Sequence, residues 1–150
     1  MYGVVLALHN IIRWVALVFG IAAAVLAWVG WLRKRDWQPS DRKLGSYFAM
    51  SVDIQFLLGL LLFFFFSPLT RTALQDFGTA MSVANLRFFV LEHPFYMILA
   101  LVFAHLGSIL PRRVDQSTSK YRRAAIWFTL AVLMILLGMP WARPFLPWSG

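Results

Sequence analysis

Cysteine is absent from the sequence, and charged residues are scarce. Without cysteine the chain forms no disulfide, no thiolate-bound iron–sulfur cluster and no thiolate-ligated haem. Only 13% of the 150 residues are charged, whereas a soluble domain carries about 25%. The sequence also has no nucleophilic triad, phosphate-cradling glycine loop or zinc-ligand spacing, and this disfavours hydrolytic chemistry.

Apolar residues are abundant in the sequence, as charged residues are scarce. They make up 61% of the chain, and the mean hydropathy is +0.71, which points to lipid as the solvent. Four apolar runs cover about 3–32, 44–66, 86–110 and 124–139, and a transmembrane helix needs about 20 residues. We therefore expect an all-α, four-transmembrane-helix up-down bundle in which residues 1–150 form a single integral membrane domain. The first run is too long for a signal peptide, so we expect it to remain as a helix.

Basic residues predict the orientation of the bundle. Residues 33–43 hold five Lys or Arg and residues 112–123 hold five more, whereas the opposite side has only Arg71, Arg87 and Arg143 near helix ends. The positive-inside rule then places both basic loops in the cytoplasm and both termini on the outer side of a bacterial inner membrane. This placement accounts for the net charge of +8 without a nucleic-acid partner.

The connection at 67–85 has a helical pattern of its own. Leu69, Ala73 and Phe77 recur with polar residues between them, which predicts a short amphipathic helix at the outer interface. Such a segment is either a plain surface connection or a lid over a site beneath it.

Two histidines are predicted to share one depth. His9 lies about 9 Å into helix 1 and His93 about 10 Å into helix 3, both measured from the outer side at about 1.5 Å per residue. Imidazoles on two different helices are what a haem held between histidines requires. We therefore expect haem b with its iron on His9 and His93, and with Arg13 or Arg87 near the propionates.

Other interpretations of these residues remain open. His9, Arg13, Glu92 and His93 would also suit a structural polar network, with His93 at a kink made by Pro94. A metal or quinone site is a further alternative. However, Glu92 and His93 diverge by about 100° around a helix, so they would not readily ligate one ion.

Further polar residues lie deeper in the apolar runs. Asp53 and Gln55 on helix 2 and His105 on helix 3 are predicted in or near the cytoplasmic half. A pair formed by Asp53 and His105 would either exchange protons with a quinone or form an interhelical hydrogen bond. Together with Gln55 and Glu92 they form a possible proton or quinone site.

Several segments resemble a family of small bacterial four-helix membrane proteins, often described as cytochrome b-like. The segments are LHNIIRW (8–14), DIQFLLGLLLFFFFSPLTR (53–71), RFFVLEHPFYM (87–97), RRAAIWF (122–128) and LGMPW (137–141). The resemblance covers nearly the whole chain, and the LH…RW and EHP segments are its most specific parts. It implies a haem-binding or electron-transfer membrane protein in which His9 and His93 are the matching histidines.

These observations predict a b-type haem protein that passes electrons between quinol and an outer-side acceptor. It would be a small subunit of a respiratory or photosynthetic complex, surrounded by membrane lipid and other subunits, or else a homo-oligomer. One alternative is a non-catalytic structural subunit that binds lipid, pigment or quinone. Another is a proton-coupled, quinone-reactive enzyme, so the sequence leaves open whether the chain is an enzyme.

Overall fold

The structure, a computed structural model, describes residues 1–141 and is all-helical over that range. Seven α-helices occur in the described residues: α1 (Tyr2–Leu32), α2 (Pro39–Leu61), α3 (Pro68–Gln75), α4 (Phe77–Ser82), α5 (Ala84–Arg87), α6 (His93–Ile109) and α7 (Ser117–Leu137). Two π-helical segments, Leu62–Phe66 and Phe88–Glu92, extend α2 and precede α6, and a 3₁₀ turn covers Leu110–Arg113. Arg143 and the C-terminus lie outside the described residues.

Three stretches of the described residues are long and apolar enough to cross a membrane. They are Tyr2–Leu32, Pro39–Phe66 and Ala84–Arg113, and by length and composition they identify the chain as a membrane protein. The first turns of α7 carry Lys120, Arg122 and Arg123. Its uncharged part, residues 124–137, is about 21 Å long at 1.5 Å per residue. It is therefore shorter than the hydrocarbon core of about 30 Å.

The predicted limits of two helices were wrong on the basic side. Residues 39–43 were expected to belong to a loop, but α2 begins at Pro39, with the Gln38 and Asp41 side chains forming a reciprocal capping box. Helix α7 likewise begins at Ser117 instead of residue 124. Hydropathy marks the apolar part of a helix, whereas hydrogen bonding and caps decide where the helix begins.

The four long helices pack in a ring. Helix α1 contacts α2 and α7, and α6 contacts the same two helices. The facing pairs are Gly20 with Phe48 and His9 with Gly59 between α1 and α2, and Gly107 with Phe128 and Gly138 with Met97 between α6 and α7. In both pairs of helices the contacts run in opposite chain order, so these neighbours are antiparallel.

Small residues let large rings fill the centre of the ring of helices. Most of the buried core positions on α1, α6 and α7 are alanines, whereas Phe48 and Tyr121 are the largest fully buried side chains. Phe48 and Phe128 make an edge-to-face contact with centroids 5.6 Å apart. Gly45 and Gly107 both face the Phe128 ring, so α2 and α6 approach it without side chains of their own.

We call the end of the bundle that carries the 33–38 and 110–116 connections the basic end. A polar cluster there links α1, α2 and α7. The Tyr121 hydroxyl donates to the Asp41 carboxylate, and Arg35 donates to the same hydroxyl at 3.2 Å. The Trp37 ring packs on Tyr121 with centroids 4.8 Å apart. Tyr121 is therefore fully buried and holds these three helices together through its hydrogen bonds.

At the opposite end, residues 67–87 form three short helices, whereas the sequence predicted one. Ser67 caps α3 and Asp76 caps α4, each through its side chain. The Thr70 hydroxyl donates to the Phe63 carbonyl at 2.8 Å, within the π-helical segment where the regular hydrogen-bond pattern is altered. Ala73, Ala80 and Val90 bury a small second core there.

Candidate functional site

A cavity of about 480 Å³ lies at the end of the bundle opposite the basic end. It is bounded by α1, α2, α3, α6 and the residues that follow α7, and most of its lining side chains are apolar. Its volume is within the range of about 300–1,000 Å³ that small-molecule and cofactor sites occupy. Five residues of the cavity wall have nitrogen-bearing side chains: His9, Asn10, Arg13, Gln55 and His93.

Helical spacing places two of these side chains on one face of α1. His9 and Arg13 are four residues apart and therefore lie on the same side of the helix. Arg13 is buried, with 7% of its surface exposed, and its guanidinium lies 5.5 Å from the centroid of the Trp14 ring. Gly59 of α2 lies beside His9, since a Cβ there would be 3.4 Å from the His9 Cε1, an ordinary van der Waals contact.

The His9 ring is held by α2. The Gln55 Nε2 lies 3.1 Å from the His9 Nε2, and Gln55 itself is buried. If the Gln55 amide donates this hydrogen bond, the His9 proton is on Nδ1. Within residues 1–141 the His9 Nδ1 and the Gln55 Oε1 are buried without a hydrogen-bond partner. Unsatisfied polar groups at the wall of a cavity are unusual and indicate a place for a polar atom of a ligand.

His93 is fixed in a different way. Its Nδ1 donates to the Gly138 carbonyl at 2.6 Å, and the rings of Phe88 and Phe89 lie 5.9 Å and 6.2 Å from it between centroids. A ring that donates through Nδ1 carries its lone pair on Nε2. Histidines that ligate metals are commonly oriented by such a bond to a backbone carbonyl.

The two histidines lie next to each other. Their ring centroids are 6.3 Å apart, and the ring planes are inclined at 68°. At this spacing both rings would be within reach of one metal ion, because a metal–nitrogen bond is about 2 Å long and each ring nitrogen lies about 1.1 Å from its centroid.

Haem fits this site in part. His9 and His93 are the residues that would hold the haem iron, and the Nδ1–Gly138 bond would orient the His93 ring. In contrast, the His9 Nε2 is engaged with Gln55, so His9 would have to exchange that bond for a ligand bond. No group of three or more His, Cys, Asp or Glu side chains that could hold a metal occurs in the described residues.

Glu92 and Arg87 do not join the two histidines. The Arg87 Nε donates to the Glu92 Oε1 at 2.8 Å, and Arg87 also donates to the Met81 carbonyl. Neither side chain is part of the cavity wall. The predicted contact of Arg87 with a haem propionate stays a prediction, since Arg87 is paired with Glu92 outside the cavity wall. The Glu92 carboxylate is paired with Arg87, five residues earlier in the chain.

Asp53 and His105 form a pair of their own away from the cavity. The His105 Nε2 lies 2.8 Å from the Asp53 Oδ1, and about two fifths of each side chain is exposed. The sequence grouped Gln55 with this pair, but Gln55 turns to the opposite side of α2 and contacts His9. Residues two positions apart on a helix point in directions about 200° apart, so Asp53 and Gln55 face opposite sides of α2.

Two glycines of the site were missed by sequence reasoning. Gly59 lies next to His9, and Gly138 supplies the carbonyl that orients His93. Gly138 follows the last residue of α7, and glycine at a helix end is a recognisable signal for a carbonyl left outside the helical pattern. No sequence signal links that carbonyl to His93, because the contact spans 45 residues.

Comparison with known protein families, with curated proteins and with solved structures finds no match for this chain. The resemblance to cytochrome b-like membrane proteins therefore stays a prediction.

Proposed function

We propose that the cavity binds a b-type haem between His9 and His93, and that the protein passes electrons between quinol and an acceptor on the outer side. One observation carries this proposal: two imidazoles on different helices face each other with centroids 6.3 Å apart at the wall of a mainly apolar cavity. Haem, when bound there, supplies a reversible one-electron couple. The chain would act as a small subunit of an electron-transfer complex.

The proposal includes a topology. The basic end lies in the cytoplasm of a bacterial cell, so the cavity lies in the outer half of the inner membrane and both termini are outside. Helix α7 is the fourth membrane helix of an up-down bundle, with its charged first turns in the cytoplasmic interface. Helices α3, α4 and α5 lie at the outer interface, and exposed Phe64 and Phe65 beside them face the lipid.

The polar residues at the cavity have different roles toward the bound group. His93 presents the lone pair of Nε2, because Gly138 accepts its other ring proton. His9 exchanges its hydrogen bond with Gln55 for the metal, and Gln55 remains close enough to orient the ring. Arg13 offers a buried positive charge to a carboxylate of the bound group. The apolar wall excludes water from the site.

Optical spectroscopy of the purified protein, loaded with haem in mild detergent, tests the proposal. The reduced-minus-oxidised difference spectrum is expected to show a band at about 560 nm, as two axial histidines produce in b-type centres. Replacement of either ligand, His9→Ala or His93→Ala, removes or shifts the band. His105→Ala is the matched control, since His105 is the one remaining histidine of the sequence and lies outside the cavity.

Two results would contradict the assignment. A wild-type protein that remains monodisperse in haem-containing buffer and shows no band does not bind haem. A full band in either ligand variant shows that His9 and His93 are not paired on one iron.

The unsatisfied atoms of His9 and Gln55 favour a second candidate, a quinone in the same cavity. The His9 Nδ1–H would donate to a quinone carbonyl, and the Gln55 Oε1 would accept from the hydroxyl of the reduced form. Organic extraction of the purified protein should then recover quinone, and Gln55→Leu should lower its amount. Ser51→Ala on the same helix is the control, because its hydroxyl contacts the Phe48 carbonyl and not the cavity. Equal recovery from both variants would reject this candidate.

A further inference from the structure

The pair of Asp53 and His105 lies on the outside of the ring of helices, at a depth where lipid is expected. Asp53 is close to the middle of the 28-residue span Pro39–Phe66. The exposed fraction is 44% for the Asp53 side chain and 42% for His105. Ionisable side chains within membrane spans nearly always face a protein interior or a water-filled space, so exposure to acyl chains is unfavourable.

The neighbouring positions on both helices are exposed and apolar. Residues three before and four after each member of the pair lie on the same helical face. We call this surface the α2–α6 face, and it consists of Met50, Asp53, Leu57, Val102, His105 and Ile109. Its apolar members are 41–60% exposed. The face is thus an apolar surface with a polar pair in its centre.

The pair has hydrogen-bonding capacity that the chain itself does not use. Within residues 1–141 the bond between the His105 Nε2 and the Asp53 Oδ1 is the only one that either side chain makes. The second carboxylate oxygen can still accept, and Nδ1 of an imidazolium can still donate. A surface that offers both a free donor and a free acceptor is complementary to a copy of itself.

We propose that a second copy of this chain packs on the α2–α6 face about a two-fold axis. Each His105 keeps its bond through Nε2 to Asp53 of its own chain and donates through Nδ1 to Asp53 of the second copy. The four side chains then form a closed ring of hydrogen bonds. The surrounding apolar residues exclude lipid from this ring.

A second copy suits this face better than other occupants. Lipid head groups stay at the membrane surface, at least a bilayer half-thickness of about 15 Å from the centre, so they do not reach Asp53. A different membrane protein would have to supply a matching donor and acceptor, whereas the two-fold arrangement supplies both from residues already present. This inference does not depend on what the cavity binds.

Disulfide cross-linking in native membranes tests the interface, because the chain has no cysteine of its own. Met50→Cys and Val102→Cys place single thiols on the α2–α6 face. Val18→Cys is the matched control: Val18 is 65% exposed on α1, and Gly20 beside it faces Phe48, so the depth is similar to that of Met50. Mild oxidation should convert at least one of the two test variants to a covalent dimer, with at least fivefold more dimer than the control.

A second set of variants separates the polar ring from simple proximity. In the cross-linking background, Asp53→Leu together with His105→Leu removes both polar groups at once and leaves no unpaired charge in the membrane. Dimer formation should fall to the level of the Val18→Cys control, while size-exclusion chromatography shows that the chain remains folded.

Four outcomes would overturn the proposal. Three concern the dimer itself: a lack of dimer from both test variants, equal dimer from the Val18→Cys control, or an undiminished dimer in the double leucine variant. The fourth is a cross-linked product that contains a protein of different sequence, since the face would then belong to another subunit.

Discussion

Replacement of Tyr121 by phenylalanine removes one hydroxyl from the polar cluster at the basic end and leaves the ring in place. The hydroxyl donates to the Asp41 carboxylate and accepts from Arg35 at 3.2 Å. Tyr121 has no exposed surface, and only 8% of the Asp41 side chain is exposed. The substitution therefore leaves a nearly buried carboxylate with fewer donors.

The expected loss of stability follows from the negative charge of the Asp41 carboxylate, which accepts the hydrogen bond. A hydrogen bond to a charged group contributes about 1.5–3 kcal/mol, and the apolar packing of the ring against Gly30 and Trp37 is retained. We expect Tyr121→Phe to lower the free energy of unfolding by about 2 kcal/mol. Asp41 keeps its bond from the Gln38 backbone N–H at 2.9 Å, so the capping box survives.

The Tyr121 hydroxyl also makes the free energy of unfolding depend on pH in the alkaline range. Burial, followed by the hydrogen bond and the negative charge of Asp41, raises the pKa of Tyr121 from 10.0 to about 12. Because the pKa is raised in the folded protein, the stabilisation is complete below pH 10 and is lost as the pH rises through about 12. The phenylalanine variant should lack this part of the alkaline transition.

The assay is unfolding by denaturant in mild detergent, followed by tryptophan fluorescence, at pH 8 and across the alkaline range. Tyr47→Phe is the control, since Tyr47 is 47% exposed and its hydroxyl makes no hydrogen bond within residues 1–141. The reasoning is refuted if Tyr121→Phe unfolds within about 0.5 kcal/mol of the wild type, which is the range of ordinary surface substitutions. An unchanged alkaline profile would refute it equally.

One further substitution tests the helix packing, and a change of pH tests the short helices. Gly107→Ala places a Cβ against the buried ring of Phe128, so we expect the free energy of unfolding to fall by about 1–3 kcal/mol in the same assay. Gly3→Ala is the neutral control, because a Cβ there meets nothing within 4 Å. Hydrogen bonds from the Thr79 hydroxyl and backbone lower the pKa of Asp76 below its ordinary 3.8. The helix cap at Asp76 is therefore fully effective above pH 3.8 and is lost as the pH falls through the lowered pKa, which hydrogen exchange of the 76–82 amides should show. Protection that is the same at pH 2 and pH 6 after correction for intrinsic exchange would contradict this.

The all-helical fold and the helices long and apolar enough to cross a membrane were predicted correctly because hydropathy acts locally. Any stretch such as Tyr2–Leu32 must satisfy its backbone hydrogen bonds internally in lipid, and a helix does so without help from distant residues. Helix limits were predicted less well. Pro39 and Ser117 begin helices within polar sequence, where capping and not hydropathy determines the first residue.

The candidate site was predicted in part. Depth along a helix follows from counting residues, so His9 and His93 were expected at one level, and their rings lie with centroids 6.3 Å apart. Rotation about the helix axis is harder to predict when every face is apolar. This is why Gln55 was grouped with Asp53 although the two side chains face opposite sides of α2.

Composition and hydropathy predict a membrane protein, the positions of its apolar stretches and the clustering of basic residues in two segments, since these properties sum over single residues. The hydrogen-bond partners emerge only in the folded bundle: Gln55 for His9, Gly138 for His93 and Arg87 for Glu92. The tertiary structure also shows that the pair of Asp53 and His105 faces outward. The physical reason is that hydrogen bonds between helices depend on how α1, α2, α6 and α7 rotate against one another. That rotation is fixed by the packing of glycine and alanine against rings such as Phe48 and Phe128, far from the polar residues themselves.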